Sequence, residues 1–338
     1  MLHDGMELHN ISHITRGAGP GVSLHRLPDA VRAGLNEVAQ GVGLCPTHAE
    51  IRFVTPAPLA RLTLYSGGHH EYASVFRGDH WVGEWCIEPN CELTLELAEP
   101  PAMRGWDAHP VRRFAAQVWR VRLSGTNRVH LVGLDTAGHG SRPPHASERP
   151  TRRWIAHGSS ITQGFSATRL ANPWVQLAAA DLGYDVLNLG LGGSCHAEAA
   201  MADHIASRSD WDLCTLELGI NLLSTPIGLE EFRRRVDYFI DRLTASHPAA
   251  QVVLITPFLN RQDVTGTSGP NDRHRIEEFR TVLRAAAAER SDLRNLGLVE
   301  GCAMLDRADG LSADLCHPSD TGHARMAANF ARLLPRIG

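Results

Sequence analysis

From Arg152 to the carboxyl end the chain alternates short apolar runs with segments of helical period, and this rhythm constrains its fold more than any other feature. The apolar runs fall at 152–157, 184–189, 213–218, 251–256 and 296–300. The helix-period stretches fall at 173–182, 197–207, 228–246, 272–290 and 320–334. Strands separated by helices cannot pair as tight hairpins. They form a mainly parallel sheet with helices on both faces, joined by right-handed crossovers. Side chains that do chemistry on such a sheet gather just past the carboxyl ends of its strands.

Residues before about 150 follow a different rhythm. Segments 49–54, 60–65, 91–97, 117–123 and 129–134 read as strands, several alternating apolar with polar residues, and Gly67-Gly68 and Pro100-Pro101 punctuate them. Short strands with turn signals predict a β-sandwich or jelly-roll module. One helix is expected over 28–39, with Ala30, Val31, Leu35 and Val38 on one face. Trp81, Trp85 and Trp106 are either sugar-binding platforms or core residues, the core being the commoner fate of large aromatics. The stretch 138–150 (GHGSRPPHASERP) has no periodicity and reads as a linker. It divides the chain into an all-β accessory domain at 1–148 and an α/β domain at 149–338.

Four places in the second domain carry groups that fit one reaction. Ser160 follows the first strand within His157-Gly158-Ser159-Ser160-Ile161-Thr162-Gln163-Gly164, a sharp strand-to-helix turn whose backbone N–H groups face outward toward negative charge. The second strand runs into Asn188-Leu189-Gly190-Leu191-Gly192-Gly193-Ser194, where glycines permit a tight turn and expose further N–H groups. The third ends in Leu218-Gly219-Ile220-Asn221, which offers a side-chain amide. Asp314-Leu315-Cys316-His317-Pro318 precedes the last helix. An aspartate three residues before a histidine can hold its Nδ1–H and leave the other ring nitrogen free to take a proton from serine. Each group also has a structural reading: serines cap helices, Gly192-Gly193 makes a turn, Asn221 caps a helix or turn, and Asp314 and His317 sit on a solvated loop. Together they are the inventory for acyl transfer through a serine.

These segments resemble the blocks of the SGNH (GDSL) hydrolase superfamily over residues 152–334. The family's G-D-S, N-x-x-x-x-G, G-x-N and D-x-x-H-P stand here as Gly158-Ser159-Ser160, Asn188 to Gly193, Gly219-Ile220-Asn221, and Asp314 to Pro318. The resemblance implies a flavodoxin-like three-layer α/β/α domain with a five-stranded parallel sheet. It implies Ser160 as nucleophile, His317 as base and Asp314 as its partner. It further implies an oxyanion hole from the N–H of Ser160, the N–H of Gly193 and the side chain of Asn221. In some members a backbone carbonyl takes over the orienting role, so Asp314 is expected to matter less than His317. Ser159 stands where the family usually has aspartate, so the hydrogen bonding around the turn must differ. A β-sandwich ahead of such a domain is similar in layout to some carbohydrate acetyl esterases, and to an acyltransferase that places a salicylyl group on a tetracycline-type natural product.

Composition narrows the function. A net charge of −4 leaves no electrostatic footprint for nucleic acid or anionic membrane. No run reaches the roughly twenty apolar residues a membrane span needs. The 33 cationic Lys/Arg positions are all arginine, which excludes a Schiff-base lysine or a Ser–Lys dyad. Seven scattered cysteines without C-x-x-C spacing suggest neither a zinc site nor a disulfide framework. With a polar Met1–His13 segment in place of a signal-peptide core, a cytoplasmic location is expected. His69-His70, His139, His145 and His157 show no ligand spacing and read as surface or loop residues, so neither metal nor cofactor is expected. The loop 260–272 (NRQDVTGTSGPND) is expected to border the acyl pocket together with Phe258. The expected substrate is a small-molecule carboxylic ester or acyl thioester, with a natural-product, polyketide or sugar hydroxyl as acceptor. Three functions stay open: ester hydrolysis, acyl transfer from a thioester donor, and carbohydrate binding by a protein whose SGNH domain is inactive. The oligomeric state is left open.

Overall fold

The computed structural model describes residues 1–17, 19–105, 113–125 and 128–335. Its carboxyl-terminal half is built on five parallel strands, Arg152–Gly158, Tyr184–Gly190, Leu213–Glu217, Gln251–Ile255 and Leu296–Val299. They lie side by side in the order second, first, third, fourth, fifth, which is the flavodoxin-like order. The strands are covered on both faces, and that is why they read as continuous apolar runs rather than alternating ones. Helices Trp174–Leu182, Ala199–Ser207, Leu229–Ser246, Ile276–Ala288 and Asp320–Leu333 each fall within a helix-period stretch and supply the outer layers. Alternate residues of the first strand feed the two cores. Ile155 packs with Leu216, Phe239 and Leu283 on one face; Trp154 packs with Trp174, Met326 and Phe330 on the other. Among the described residues no helix is long and apolar enough to cross a membrane.

Two antiparallel sheets precede this layer structure. One contains, in spatial order, Leu2–His3, Met6–His9, Glu50–Phe53, Trp119–Leu123, Glu71–Arg77 and His80–Ile87; the other contains His13–Thr15, Val22–His25, Val129–Asp135, Leu59–Ser66 and Glu92–Ala98. Phe53, Val75 and Val121 of the first meet Leu24, Leu62 and Leu131 of the second in one core, as a β-sandwich requires. The hairpin 71–87 was not among the expected strands. Its outer member, His80–Ile87, is a sheet edge, and the mixed polarity of that edge hides the strand period. Trp81 and Trp85 lie on this edge, 52% and 39% exposed, and not in the core. Trp106 lies outside the described residues.

The single helix expected over 28–39 is instead two short helices, Asp29–Arg32 and Glu37–Val42. Asn36 leaves helical geometry between them, and its side chain accepts a hydrogen bond from Ala39 N to cap the second. The break separates residues that one continuous helix would hold together: Leu35 and Ala39 turn inward to join Leu27 in a core of the parallel-sheet half, while Val38 faces out. A buried ion network ties the same halves together. Arg52 holds Asp185 through two bonds of 2.9 and 2.7 Å, and Glu50 accepts from Arg52, Arg120 and Arg122.

Candidate active site

Ser160 is the first residue of the helix Ser160–Gln163, immediately after the first parallel strand. The capping duty at this turn falls to Ser159, whose Oγ accepts from Ile161 N at 3.1 Å. The Ser160 hydroxyl is therefore free to face the cavity, where His317 Nε2 stands 2.8 Å from it. On the other side of the ring, Nδ1 lies 2.6 Å from Asp314 Oδ2. Asp314 Oδ1 holds the loop closed by accepting from Ser312 Oγ at 2.8 Å and from the N–H groups of Cys316 and His317, both at 2.9 Å. Leu315 takes a left-handed φ of 56° to allow this tight fold. Partial burial works against ionisation of Asp314. The hydrogen bonds from the His317 ring and the loop outweigh it and hold the carboxyl below the usual carboxylate range.

Ser160, Gly193, Asn221 and His317 line one cavity of about 880 Å³. Gly193 has a φ of 67°. Gly192 N donates to Gln163 Oε1 at 2.7 Å, and a Cβ on Gly192 would sit 2.7 Å from that oxygen and 3.4 Å from Ser160 Cβ. Only glycine lets the second turn come this close to the first. Asn221 Oδ1 accepts from Cys195 N at 3.1 Å, which leaves its Nδ2 as the donor end for the cavity. Gln163 also donates to Thr47 Oγ1 at 3.0 Å, so the sandwich half braces the same turn. Cys45 and Cys316 line the cavity too. Burial pushes the Cys316 thiol up to about 12 and raises that of Cys45, so neither competes as a thiolate nucleophile.

The hydrogen bonding made necessary by Ser159 is supplied by a residue no motif points to. Glu217, the last residue of the third parallel strand, is buried and accepts at Oε2 from Ser159 N at 2.7 Å, Ser159 Oγ at 2.6 Å and Thr162 Oγ1 at 3.1 Å. A Cβ on Gly158 would lie 2.7 Å from that same oxygen, so glycine before the two serines makes room for the carboxyl. The available signal is an acid inside the otherwise uncharged run 213–218, where a charge is costly unless it is held. Burial pushes the Glu217 carboxyl up to about 7, against the opposing pull of the Ser159 and Thr162 hydrogen bonds. A folded value above the ordinary 4.5 gives stability that is complete below that value and is lost as the pH rises through about 7. Glu217→Gln, shaped like the protonated acid, is expected to remove about 3 kcal/mol of pH-dependent stability between roughly pH 4.5 and 7. Denaturant unfolding across that range measures it; an unchanged slope would contradict the assignment.

Other expectations need correction. His157 is buried, not a loop residue: it lies on an interior strand, bonds Leu189 O through Nδ1 at 2.9 Å and stacks on Phe239 at 5.7 Å. Phe258 is 2% exposed and packs on Trp174 in the core, so it does not border the cavity. Within 260–272, Asp272 does line the cavity, and Arg261–Thr265 form a helix with Asn260 as its cap. His70 has acidic and thiol neighbours after all: antiparallel pairing of the 71–87 hairpin brings His70, Cys86 and Glu88 donor atoms within 4.8 Å of one another. Linear spacing cannot show such a cross-strand group.

A Ser–His–Asp cluster at the carboxyl edge of a sheet in this strand order is the arrangement of an SGNH-type enzyme. The model of the GDSL-like lipase/acylhydrolase family matches residues 156–325, just over half of the chain, and the chain belongs to that family. No curated protein matches the chain significantly. Among solved structures, the salicylyl-acyltransferase SsfX3 from a tetracycline biosynthetic pathway has a TM-score of 0.80 at 17% identity, covering 98% of this chain and 94% of that one. A family two carbohydrate esterase from Cellvibrio japonicus has a TM-score of 0.65 at 16% identity, with 98% and 95% covered. The acetyl xylan esterase Est2A from the rumen bacterium Butyrivibrio proteoclasticus has a TM-score of 0.60 at 12% identity, with 99% and 96% covered. At these identities the likeness is one of fold, and it spans the sandwich as well as the parallel sheet.

Proposed function

We propose that this chain moves acyl groups through a covalent Ser160 intermediate, acting on a small-molecule carboxylic ester or thioester. The observation that carries the proposal is the hydrogen-bonded line from Ser160 Oγ through His317 to Asp314, with links of 2.8 and 2.6 Å. As the Oγ–carbon bond forms, the serine proton passes to His317 Nε2, and Asp314 stabilises the imidazolium. The oxyanion accepts hydrogen bonds from the N–H groups of Ser160 and Gly193 and from Asn221 Nδ2. Collapse breaks the carbon–oxygen or carbon–sulfur bond, and His317 returns its proton to the leaving group. Water or an acceptor hydroxyl then repeats the sequence and frees Ser160. Residues 149–338 form the catalytic domain in this account, and 1–148 the accessory one.

Asn221→Ala is expected to cost about 3–4 kcal/mol of transition-state stabilisation, a fall in kcat of about 10²- to 10³-fold with little change in KM. Steady-state kinetics on p-nitrophenyl esters check it, and a fall of less than about threefold would remove Asn221 from the oxyanion hole. Transfer to an acceptor hydroxyl is the second reading. A cavity of about 880 Å³ favours it, since an acceptor has room beside the acyl group. Product partition between acid and ester in the presence of added alcohols separates the two. Seven unpaired cysteines, Cys91 exposed among them, support a reducing compartment such as the cytoplasm.

A further inference from the structure

The cavity in front of Ser160 takes its walls from both halves of the molecule. Phe165, Ile220 and Leu223 come from the parallel-sheet half, and Val38, Val42 and Leu44 come from the amino-terminal half. Val38 and Phe165 are 60% and 56% exposed, yet both face this one concavity. Large apolar side chains gathered in a concave surface mark a binding site, whereas scattered ones do not. Trp81 and Trp85, the exposed rings that could stack on a sugar, do not line it.

The two walls are anchored at different parts of the site. Phe165 packs against the His317 ring at 4.6 Å, and the leaving group must lie on that side because His317 protonates it. The helix Glu37–Val42 is fixed to the chain just past the Gly192-Gly193 turn. Asn36 Nδ2 donates to Ser194 O at 2.8 Å, and Asn36 N donates to Glu198 Oε1 at 3.1 Å. The Val38 and Val42 wall therefore stands on the side of the Gly192-Gly193 turn. An acetyl group takes up only about two to three times the roughly 30 Å³ that a water molecule occupies in the liquid, and would leave most of the 880 Å³ open.

We infer that the accessory half completes the acyl pocket through Val38 and Val42, and that the enzyme takes bulky apolar acyl groups, aromatic or of about six carbons and more, in preference to acetyl. The inference rests on Ser160 being the acylated residue. Its test uses the full chain with p-nitrophenyl acetate, butyrate, hexanoate, octanoate and benzoate, reading kcat/KM of p-nitrophenol release. From acetate to hexanoate kcat/KM is expected to rise about tenfold or more. Val38→Asp, at an exposed helix position, is expected to cut the hexanoate-to-acetate ratio at least about fivefold, and Val38→Ile to retain it. Thermal melting shows that both variants fold. A flat or falling series with Ser160-dependent turnover would overturn the inference and leave acyl transfer standing. So would a rising series whose ratio Val38→Asp does not change. Failure of every ester, together with no labelling of Ser160 by a fluorophosphonate, would overturn the acyl-transfer reading and the inference with it.

Discussion

Ser160→Ala is expected to lower kcat on p-nitrophenyl esters by about 10⁴-fold or more while the protein melts within a few degrees of wild type. The loss is large because no neighbour can take over. Ser159 is one residue away, but its hydroxyl donates to Glu217 and accepts from Ile161 N, so it is turned into the turn and away from the cavity. The thiols of Cys45 and Cys316 are held protonated by burial. What remains after the substitution is the oxyanion hole and substrate binding. The fold is spared because the cap of this helix is Ser159, and the side chain of Ser160 bonds His317. A Ser160→Ala protein with wild-type kcat would contradict the assignment.

Asp314→Asn is expected to lower kcat by about 10³- to 10⁴-fold with KM nearly unchanged. Asparagine can keep the Oδ1 bonds to Ser312, Cys316 and His317 that shape the loop, so the protein should fold. Its amide nitrogen would then face His317 Nδ1. That demands the tautomer with its proton on Nε2, which cannot accept one from Ser160. The family resemblance allows a backbone carbonyl to orient the imidazole, but here the partner of Nδ1 is the Asp314 carboxylate at 2.6 Å. A loss of less than about tenfold would mean that another acceptor can do the work. The depressed Asp314 carboxyl also sets a sign: it adds stability above the ordinary carboxylate range, and that stability is lost as pH falls through its lower folded value.

The parallel-sheet half was legible because its strands are buried on both faces and its helices are long, so period and composition agree along the chain. That Ser160, Gly193, Asn221, Asp314 and His317 lie near one another was legible for a related reason: that sheet carries the ends of its strands to one edge. Glu217 was not, since its partners are 55 and 58 residues away and only three-dimensional contact reveals them. The strand 80–87 escaped because a half-exposed edge obeys no simple alternation, and 71–77 because it buries Glu71, Ser74 and Arg77 along with its apolar residues. The helix expected over 28–39 failed at Asn36, where a local side-chain cap overrode a continuous apolar face. That same break turns Val38 outward, so the wall of the cavity was hidden inside a secondary-structure misreading.

Intact-protein mass spectrometry after rapid mixing with a p-nitrophenyl ester, followed by peptide mapping, detects the acyl-enzyme itself. One added acyl group per chain is expected, located on Ser160 and absent from Ser160→Ala. Turnover without any adduct on Ser160, or an adduct mapped to Cys45 or Cys316, would contradict it.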